Sequence, residues 1–231
     1  MENKTMKNIL KATTLACLMA TAFAHADIPE SSTLSVTGTL HPASCTPSLA
    51  NNGVVDLGDY QAAKMTETAN QLTYQTIELS VTCANPTKLS LHMQDSNAEG
   101  HLLTLIKQAF ADDGDNEDPL HQFGLGKDAE GKPIGAYGVI IAGSPLVNKD
   151  LADVIFSAGG TWGASKSHAF TNGSGVNALL SVAAPGETIP MAIETMQLTL
   201  RINAAVAANT AVNMKEKINF DGKTTLVMSY L

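Results

Sequence analysis

Five carboxylates cluster between positions 112 and 118, and clustered carboxylates are the usual protein ligands of calcium. A calcium loop of the EF-hand type that began at Asp113 would need glycine at position 118 and glutamate at position 124. Asp118 and Gly124 occupy those positions. We therefore interpret the segment as a solvated acidic loop and expect no metal and no cofactor. Its carboxylates are Asp112, Asp113, Asp115, Glu117 and Asp118.

Other residues that could act in catalysis lack the spacing that catalysis requires. Gly173-Ser174-Gly175 does not have the glycine spacing of a nucleophile elbow. Gly124-Leu125-Gly126 does not continue as a dinucleotide- or phosphate-binding loop. No histidine after position 26 stands at metal-ligand spacing with another His or Cys, so the sequence predicts a protein that is not an enzyme. These histidines are His41, His92, His101, His121 and His168.

Trp162, the single tryptophan of the chain, lies in a polar, glycine-rich stretch. Its ring could stack on a sugar, which makes Trp162 a candidate ligand-binding residue and a host glycan a candidate ligand. The same ring could instead pack its loop onto the core. The sequence leaves both interpretations open.

The first 26 residues have the pattern of a bacterial secretory signal peptide. Lys4, Lys7 and Lys11 form a basic start, an apolar run follows over residues 12–23, and Ala24-His25-Ala26 is a small-residue cleavage signal. We therefore expect a signal peptide over residues 1–26 and an exported product. An alternative is lipidation at Cys17, although the preceding Thr14 stands where such a cleavage box carries an apolar residue.

Residues 27–231 are long enough for a single large β-domain with a sizeable core. The chain has a formal net charge of −8, which argues against nucleic acid or an anionic membrane as a partner. Cys45 and Cys83 remain after the signal peptide is removed, and in an oxidising compartment we expect them to form a disulfide. Two free thiols would be the alternative.

The elements that carry these residues are predicted to be strands. In residues 32–45, Leu34, Val36, Gly38 and Leu40 share one parity and alternate with polar residues, which is typical of a strand with one buried face. Gly38 has no side chain to bury, and a glycine at such a position indicates that another backbone approaches closely.

The same reasoning predicts strands along most of the remaining chain, with glycines and prolines between them. Residues 101–110 could form a helix or a strand, and residues 159–175 should be mostly loop. Many short strands with little helix predict an all-β, antiparallel β-sandwich. The strands are expected within residues 53–60, 73–83, 89–93, 135–143, 191–205 and 218–230.

Several short features of the sequence occur together. An alternating strand precedes Cys45, a second strand ends in Cys83, and an alternating C-terminal run closes with the penultimate Tyr230. Between them lie the following motifs: Val55-Asp56-Leu57-Gly58, Phe123-Gly124-Leu125-Gly126 and Ile134-Gly135-Ala136.

With these features the chain resembles the fimbrial (pilin) subunits of the chaperone–usher pathway, and most closely the fimbrial-like proteins of the DUF1120 type. The resemblance implies an immunoglobulin-like sandwich that lacks its last strand and has an enlarged, loop-rich central segment. It departs from the family upstream of Tyr230, where Ile218 stands about where pilins carry a glycine and Gly222 is the nearest glycine. That departure puts the details of chaperone contact in doubt.

The resemblance also implies roles for particular residues. Residues 27–40 would be a donor strand that completes a neighbouring subunit, because backbone hydrogen bonds and alternate side chains both contribute to strand addition. Alternatively, this strand would be the first of its own sandwich. The donated side would carry Leu34, Val36, Gly38 and Leu40, and the edge of the groove would carry Leu226, Met228 and Tyr230.

The function expected from this resemblance is that of a structural subunit of a chaperone–usher fimbria with a role in cell adhesion. Its partners would be a periplasmic pilus chaperone, an outer-membrane usher and other fimbrial subunits. It would pass through the periplasm and reside in the fimbrium on the cell surface. The alternative is a periplasmic glycan-binding module that is not assembled into a fibre.

Overall fold

The computed structural model describes residues 34–39, 44–175 and 178–231. Within them the chain is all-β and the only helices are single 3-10 turns, at Ala50–Gly53, Ala62–Lys64, Ala98–Gly100 and Pro119–His121. The strands are β1 (Cys45–Leu49), β2 (Asn70–Gln71), β3 (Gln75–Thr87), β4 (Leu89–Asp95), β5 (Phe123–Gly124), β6 (Gly135–Val147), β7 (Asp150–Leu151), β8 (Asp153–Ser157), β9 (Trp162–Ala164), β10 (Leu179–Ala183), β11 (Ile193–Val206) and β12 (Thr224–Tyr230).

The strands form two antiparallel sheets, which confirms the prediction of an all-β sandwich. The first sheet has the order β1-β3-β11-β6-β5, with β2 beside β11 and β7 beside β6. The second has the order β12-β4-β10-β8-β9. β1 and β12 are therefore edge strands of different sheets, and the core lies between the sheets.

The core is built by the alternation that the sequence predicts. On β3, Ile77, Leu79 and Val81 are buried while the residues between them are partly or fully exposed. On β11, residues 196–202 repeat the pattern opposite β3 and β6. Burial of such side chains contributes about 1.5–3 kcal/mol each, which makes this face the main source of stability.

The disulfide between Cys45 and Cys83 is present, as predicted. The two cysteines lie directly opposite each other in the register of β1 and β3. The sequence predicted that each cysteine ends a strand, but Cys45 is the first residue of β1 and Cys83 lies inside β3. The bridge therefore fixes the edge strand β1 to the sheet at its first residue.

The central segment, from residue 96 to residue 134, is ordered by polar side chains, since β5 and two 3-10 turns are its only regular elements. Gln122 is fully buried. Its Nε2 donates to the carbonyls of Thr104 at 2.7 Å and Asn116 at 3.0 Å, and its Oε1 accepts from the Thr104 N–H at 3.2 Å. One glutamine side chain thus joins two parts of this irregular segment, next to the backbone bridge between Ile106 and Asn116.

Several predicted elements are absent or shorter than expected. Residues 101–110 form neither a helix nor a strand but an irregular segment whose Ile106 bridges Asn116. Residues 54–60 are irregular and not a strand, because Gly53 and Gly58, with φ values of 77° and 75°, turn the backbone out of an extended course. The C-terminal strand begins at Thr224 and not at residue 218.

The predicted strand over residues 32–40 is not formed in the isolated chain, as far as it is described. Residues 34–39 have no regular secondary structure, and Leu34 and Val36 are each 87% exposed. Leu40 and residues 27–33 lie outside the described residues, as does the predicted signal peptide.

Removing the disulfide should destabilise the protein strongly. Replacing both Cys45 and Cys83 by serine opens a loop that closes over a sequence separation of 38 residues. The chain-entropy account then predicts a loss of about 4 kcal/mol in the free energy of unfolding. Urea denaturation of the variant beside the wild-type protein, with and without reductant, measures this loss. Equal midpoints for all samples would contradict it.

Candidate functional site

A groove with a volume of about 640 Å³ opens into the core beside the edges of β1 and β12. Its floor is formed by buried side chains of the sandwich, among them Ile77, Tyr137 and Leu200. One wall comes from residues 49–65, which follow β1, and the other from residues 212–226. The volume lies in the range of cavities that take a ligand of drug size, so it can hold several apolar side chains.

The backbone of β12 is open toward this groove. Leu231 N–H donates to the Lys88 carbonyl at 3.1 Å, and the Lys223 carbonyl accepts from Ser96 N–H at 2.9 Å. Backbone groups alternate sides along a strand, so the odd-numbered residues of β12 bond to β4. The even-numbered residues, from Thr224 to Tyr230, direct their N–H and C=O groups to the other edge, where no strand of the described chain pairs.

The backbone of β1 offers few free N–H donors on the corresponding side. Ala84 N–H donates to the Ser44 carbonyl at 2.8 Å, so the even-numbered residues face β3 and Cys45, Pro47 and Leu49 face outward. The Cys45 N–H donates to the Tyr230 hydroxyl at 3.1 Å. Pro47 has no N–H to offer, and proline on an outward edge position is a common way to prevent strand pairing.

The groove is therefore closed at one end and open at the other. β1 begins where β12 ends, at the hydrogen bond between Cys45 and Tyr230. Leu49, at the far end of β1, and Leu226, near the start of β12, both line the cavity. The two strands run in opposite directions along the groove. A strand that enters it finds outward N–H groups at every even-numbered residue of β12, whereas β1 offers one only at Leu49.

The structure places the predicted edge residues on β12 in three different environments. Leu226 lines the cavity, and Met228 is partly buried against the core. Tyr230 is 49% exposed, and its hydroxyl group contacts the start of β1. All three lie on the edge strand β12, and their roles at the groove edge and in chaperone contact remain predictions.

The predicted sugar-stacking residue lies elsewhere. Trp162 begins β9, which forms the edge of the second sheet opposite to β12. Its partner across the ladder is Ser157, and its side chain is partly exposed. Trp162 and the groove are therefore separate features of the fold.

Sequence reasoning missed the segment that covers the open end of the groove. Residues 213–223, here named the strap, cross the cavity without regular secondary structure. At its start, Asn213 N–H donates to Asp128 Oδ2 at 3.0 Å and Asn213 Nδ2 donates to Glu130 Oε1 at 2.6 Å. Near its end, Asp221 N–H donates to the Leu125 carbonyl at 2.9 Å.

Gly222 lets the strap lie flat on the floor of the groove. A Cβ at Gly222 would come within 2.7 Å of the Tyr137 ring, so a larger residue would push the strap outward. The ring itself is stacked on Phe123 at a centroid distance of 5.3 Å. Burial, and then the carboxylate of Asp95, raise the pKa of Tyr137, so this phenol stays neutral at all physiological pH values.

The two glycine motifs that point to the DUF1120 type meet in space. Phe123 and Gly124 on β5 pair with Tyr137 and Ala136 on β6. A Cβ at Gly124 would overlap the Asn97 carbonyl oxygen, and one at Gly135 would overlap that of Ala205. These glycines therefore permit the close backbone packing that supports the floor of the groove.

Two further properties concern the described residues alone. No group of three or more His, Cys, Asp or Glu side chains that could hold a metal ion occurs among them. Nor do they include a helix that is long and apolar enough to span a membrane.

Fold and site together define an all-β sandwich protein whose core opens beside an unpaired strand edge in the described chain. The family described as a protein of unknown function, DUF1120, matches residues 34–138. Protein GltF of Escherichia coli K12 is 30% identical to this chain, over 97% of the chain and 98% of GltF. The uncharacterized protein YhcF of the same organism is 26% identical, over 86% of the chain and 90% of YhcF. The chain belongs to this DUF1120 family, with GltF as a full-length relative.

Restoring a donor on the outward edge of β1 should promote association between copies. Pro47→Thr adds an N–H that points away from β3, and open strand edges pair with other chains. In size-exclusion chromatography at equal protein concentration, we expect a larger fraction of dimers or larger species for Pro47→Thr than for the wild type. Ser48→Thr, whose backbone faces β3, is the matched control. Identical elution of both variants and the wild type would contradict this role of Pro47.

The anchor of the strap should weaken in acid. Backbone hydrogen bonds, first from Lys132 and then from Asn213, lower the pKa of Asp128 below the usual value of an aspartate. A lowered pKa in the folded state contributes stability above the unfolded-state pKa that is lost as pH falls through the folded-state pKa.

The corresponding variant is Asp128→Asn. It should melt at a lower temperature than the wild type at pH 7 and should show a smaller further decrease between pH 5 and pH 2, because the titrating group is gone. Glu216→Gln, which alters an exposed carboxylate of the strap, is the control and should follow the wild type. If the difference in melting temperature between Asp128→Asn and the wild type stayed constant from pH 5 to pH 2, Asp128 would not be the group that anchors the strap.

Proposed function

We propose that this protein is a structural subunit of a chaperone–usher fimbria, which accepts a strand from a neighbouring subunit and donates its own N-terminal segment in turn. The observation that carries the proposal is the open edge of β12 beside an apolar groove of about 640 Å³. Strand addition needs both features, because backbone groups supply affinity and pockets for alternate side chains supply specificity.

A strand fits this site better than a small apolar ligand does. A lipid or aromatic compound could fill the cavity, but it would leave the N–H and C=O groups of Thr224, Leu226, Met228 and Tyr230 without strand partners. Backbone polar groups that are covered without a partner cost about 1–3 kcal/mol each. A polypeptide strand satisfies these groups and fills the cavity at the same time.

The N-terminal segment has the properties of the occupant. Leu34 and Val36 alternate with polar residues, and both are almost fully exposed. Each apolar side chain gains about 1.5–3 kcal/mol when it is buried, so a groove that takes them supplies a strong driving force. Gly38, where a Cβ would meet nothing within 4 Å in the isolated chain, offers a backbone that another strand can approach closely.

The direction in which the N-terminal segment would run along β12 favours a donor from a second molecule. Only five residues, 40–44, separate Thr39 from β1. A segment that folded back over them would enter beside Pro47 and run parallel to β12, since β1 and β12 are antiparallel to each other. A strand from another copy is free to run antiparallel to β12, and antiparallel pairing is the more stable arrangement.

The wider setting follows from the resemblance to fimbrial subunits. In this proposal a periplasmic pilus chaperone covers the groove first, and an outer-membrane usher then passes the subunit into the fibre, where it contributes to cell adhesion. The predicted signal peptide of residues 1–26 provides the export that this route requires.

A chain that carries its own donor should be closed and more stable. We would delete residues 27–40 from the mature N-terminus and attach residues 34–40 after Leu231 through a short glycine–asparagine turn, so that the added strand runs antiparallel to β12. Burial of two or three apolar side chains should raise the melting temperature by roughly 10 °C. The product should be a monomer.

The control carries Leu34→Asp and Val36→Asp in the attached copy. It keeps the length and the turn but cannot fill the cavity, so it should melt like the protein without an attached strand. If both variants melt at the same temperature, the groove is not a strand acceptor. Calorimetry and size-exclusion chromatography provide the two readouts.

A further inference from the structure

The strap is held at its ends and free in its middle. Within the described residues, no backbone hydrogen bond joins residues 216–220 to the sandwich. Its side chains nevertheless divide into two sets. Met214, Ile218 and Phe220 are partly buried against the core, whereas Glu216 and Lys217 are exposed.

The reason for the missing hydrogen bonds lies in the neighbouring strand. β4 ends at Asp95. Beyond it, Ser96 N–H donates to the Lys223 carbonyl, which is the last backbone bond of this ladder, and Asn97 Nδ2 donates to the Asp221 carbonyl. The chain then turns away in the 3-10 turn Ala98–Gly100. Upstream of Lys223, the strap has therefore lost the strand beside which it would continue.

The strap nevertheless keeps the sequence pattern of β12. Ile218, Phe220 and Gly222 have the same parity as Leu226 and Met228, and all of them line the cavity or pack on the core. Were the strap to continue β12 as a strand, the backbone groups of residues 216, 218, 220 and 222 would point toward the groove, as those of the even residues of β12 do.

We propose that the strap is the second half of the acceptor: when residues 27–40 of a second copy enter the groove, residues 216–223 pair with them as a continuation of β12. This inference rests on the proposed function. β12 has seven residues, which span about 23 Å, whereas a donor of 14 residues spans about 46 Å at 3.3 Å per residue. The strap supplies the partners that β12 lacks for the remaining half.

The anchors explain why the strap remains over the groove before the donor arrives. Asp128 and Glu130 hold Asn213, and the Leu125 carbonyl holds Asp221. These contacts lie at the two ends and leave the backbone between them available. The incoming strand therefore needs to displace no backbone hydrogen bond of residues 216–220.

The test combines hydrogen exchange with two proline variants of the mature chain. The probe is a synthetic peptide of residues 27–40. On binding, amides 226, 228 and 230 should become protected because the peptide pairs with β12, and amides 216, 218, 220 and 222 should become protected if the strap joins the ladder. Protection by tenfold or more in both sets is the expected result.

Glu216→Pro removes an N–H that would face the peptide, and Lys217→Pro removes one that would face away. Both positions are exposed. We expect Glu216→Pro to weaken peptide binding about five- to tenfold, as loss of one hydrogen bond does, and Lys217→Pro to weaken it less than twofold. Fluorescence anisotropy of the labelled peptide measures both values.

The outcomes separate the two proposals. Protection of β12 with unchanged exchange in the strap, or equal effects of the two prolines, would overturn the role of the strap and leave strand acceptance intact. Absence of peptide binding to the wild-type chain would overturn both. A peptide with Leu34→Asp and Val36→Asp should bind neither element.

Discussion

The architecture depends on an imbalance between the two strand edges that border the groove. β12 directs the backbone groups of its even-numbered residues to an edge where the described chain provides no strand. On β1, Pro47 and the bond from Cys45 to Tyr230 remove two of the three outward N–H donors. An open edge normally attracts any other edge. Here the open backbone groups lie mainly on β12, beside the groove that gives access to the core. An added strand could therefore pair with β12 and bury apolar side chains at the same time.

The surroundings of the groove maintain this opening and keep it from collapsing. The disulfide fixes β1 to β3 at its first residue, and the closely packed backbones at Gly124 and Gly135 support the floor. The strap lies over the open end without adding a ladder of its own. Side-chain packing of Ile218 and Phe220 lowers the exposure of the core, yet the space that a further strand would fill remains.

The sequence predicted much of the sandwich, because its central strands bury one face and alternate clearly. β3, β6 and β11 appear where the pattern places them, and the pairing of Cys45 with Cys83 was predicted from the signal-peptide pattern and the cysteine count. One wrong prediction lies where alternation continues without a neighbouring strand, and another where glycines turn the backbone. Residues 218–222 keep the period of β12, but β4 has already ended, so they form the strap. Residues 54–60 do not form the predicted strand because Gly53 and Gly58 have positive φ values.

Composition and periodicity by themselves therefore determined the fold class, the disulfide and the faces that enter the core, since these depend on local chemistry and on the burial of one side of each strand. Only the tertiary structure decided which backbone groups stay open. That outcome depends on where each neighbouring strand stops, on Pro47 lying on the outward side of β1, and on Tyr230 reaching Cys45 across 185 positions of the chain. Hydrogen bonds between distant segments are set by the register of whole sheets, which no short window of sequence contains.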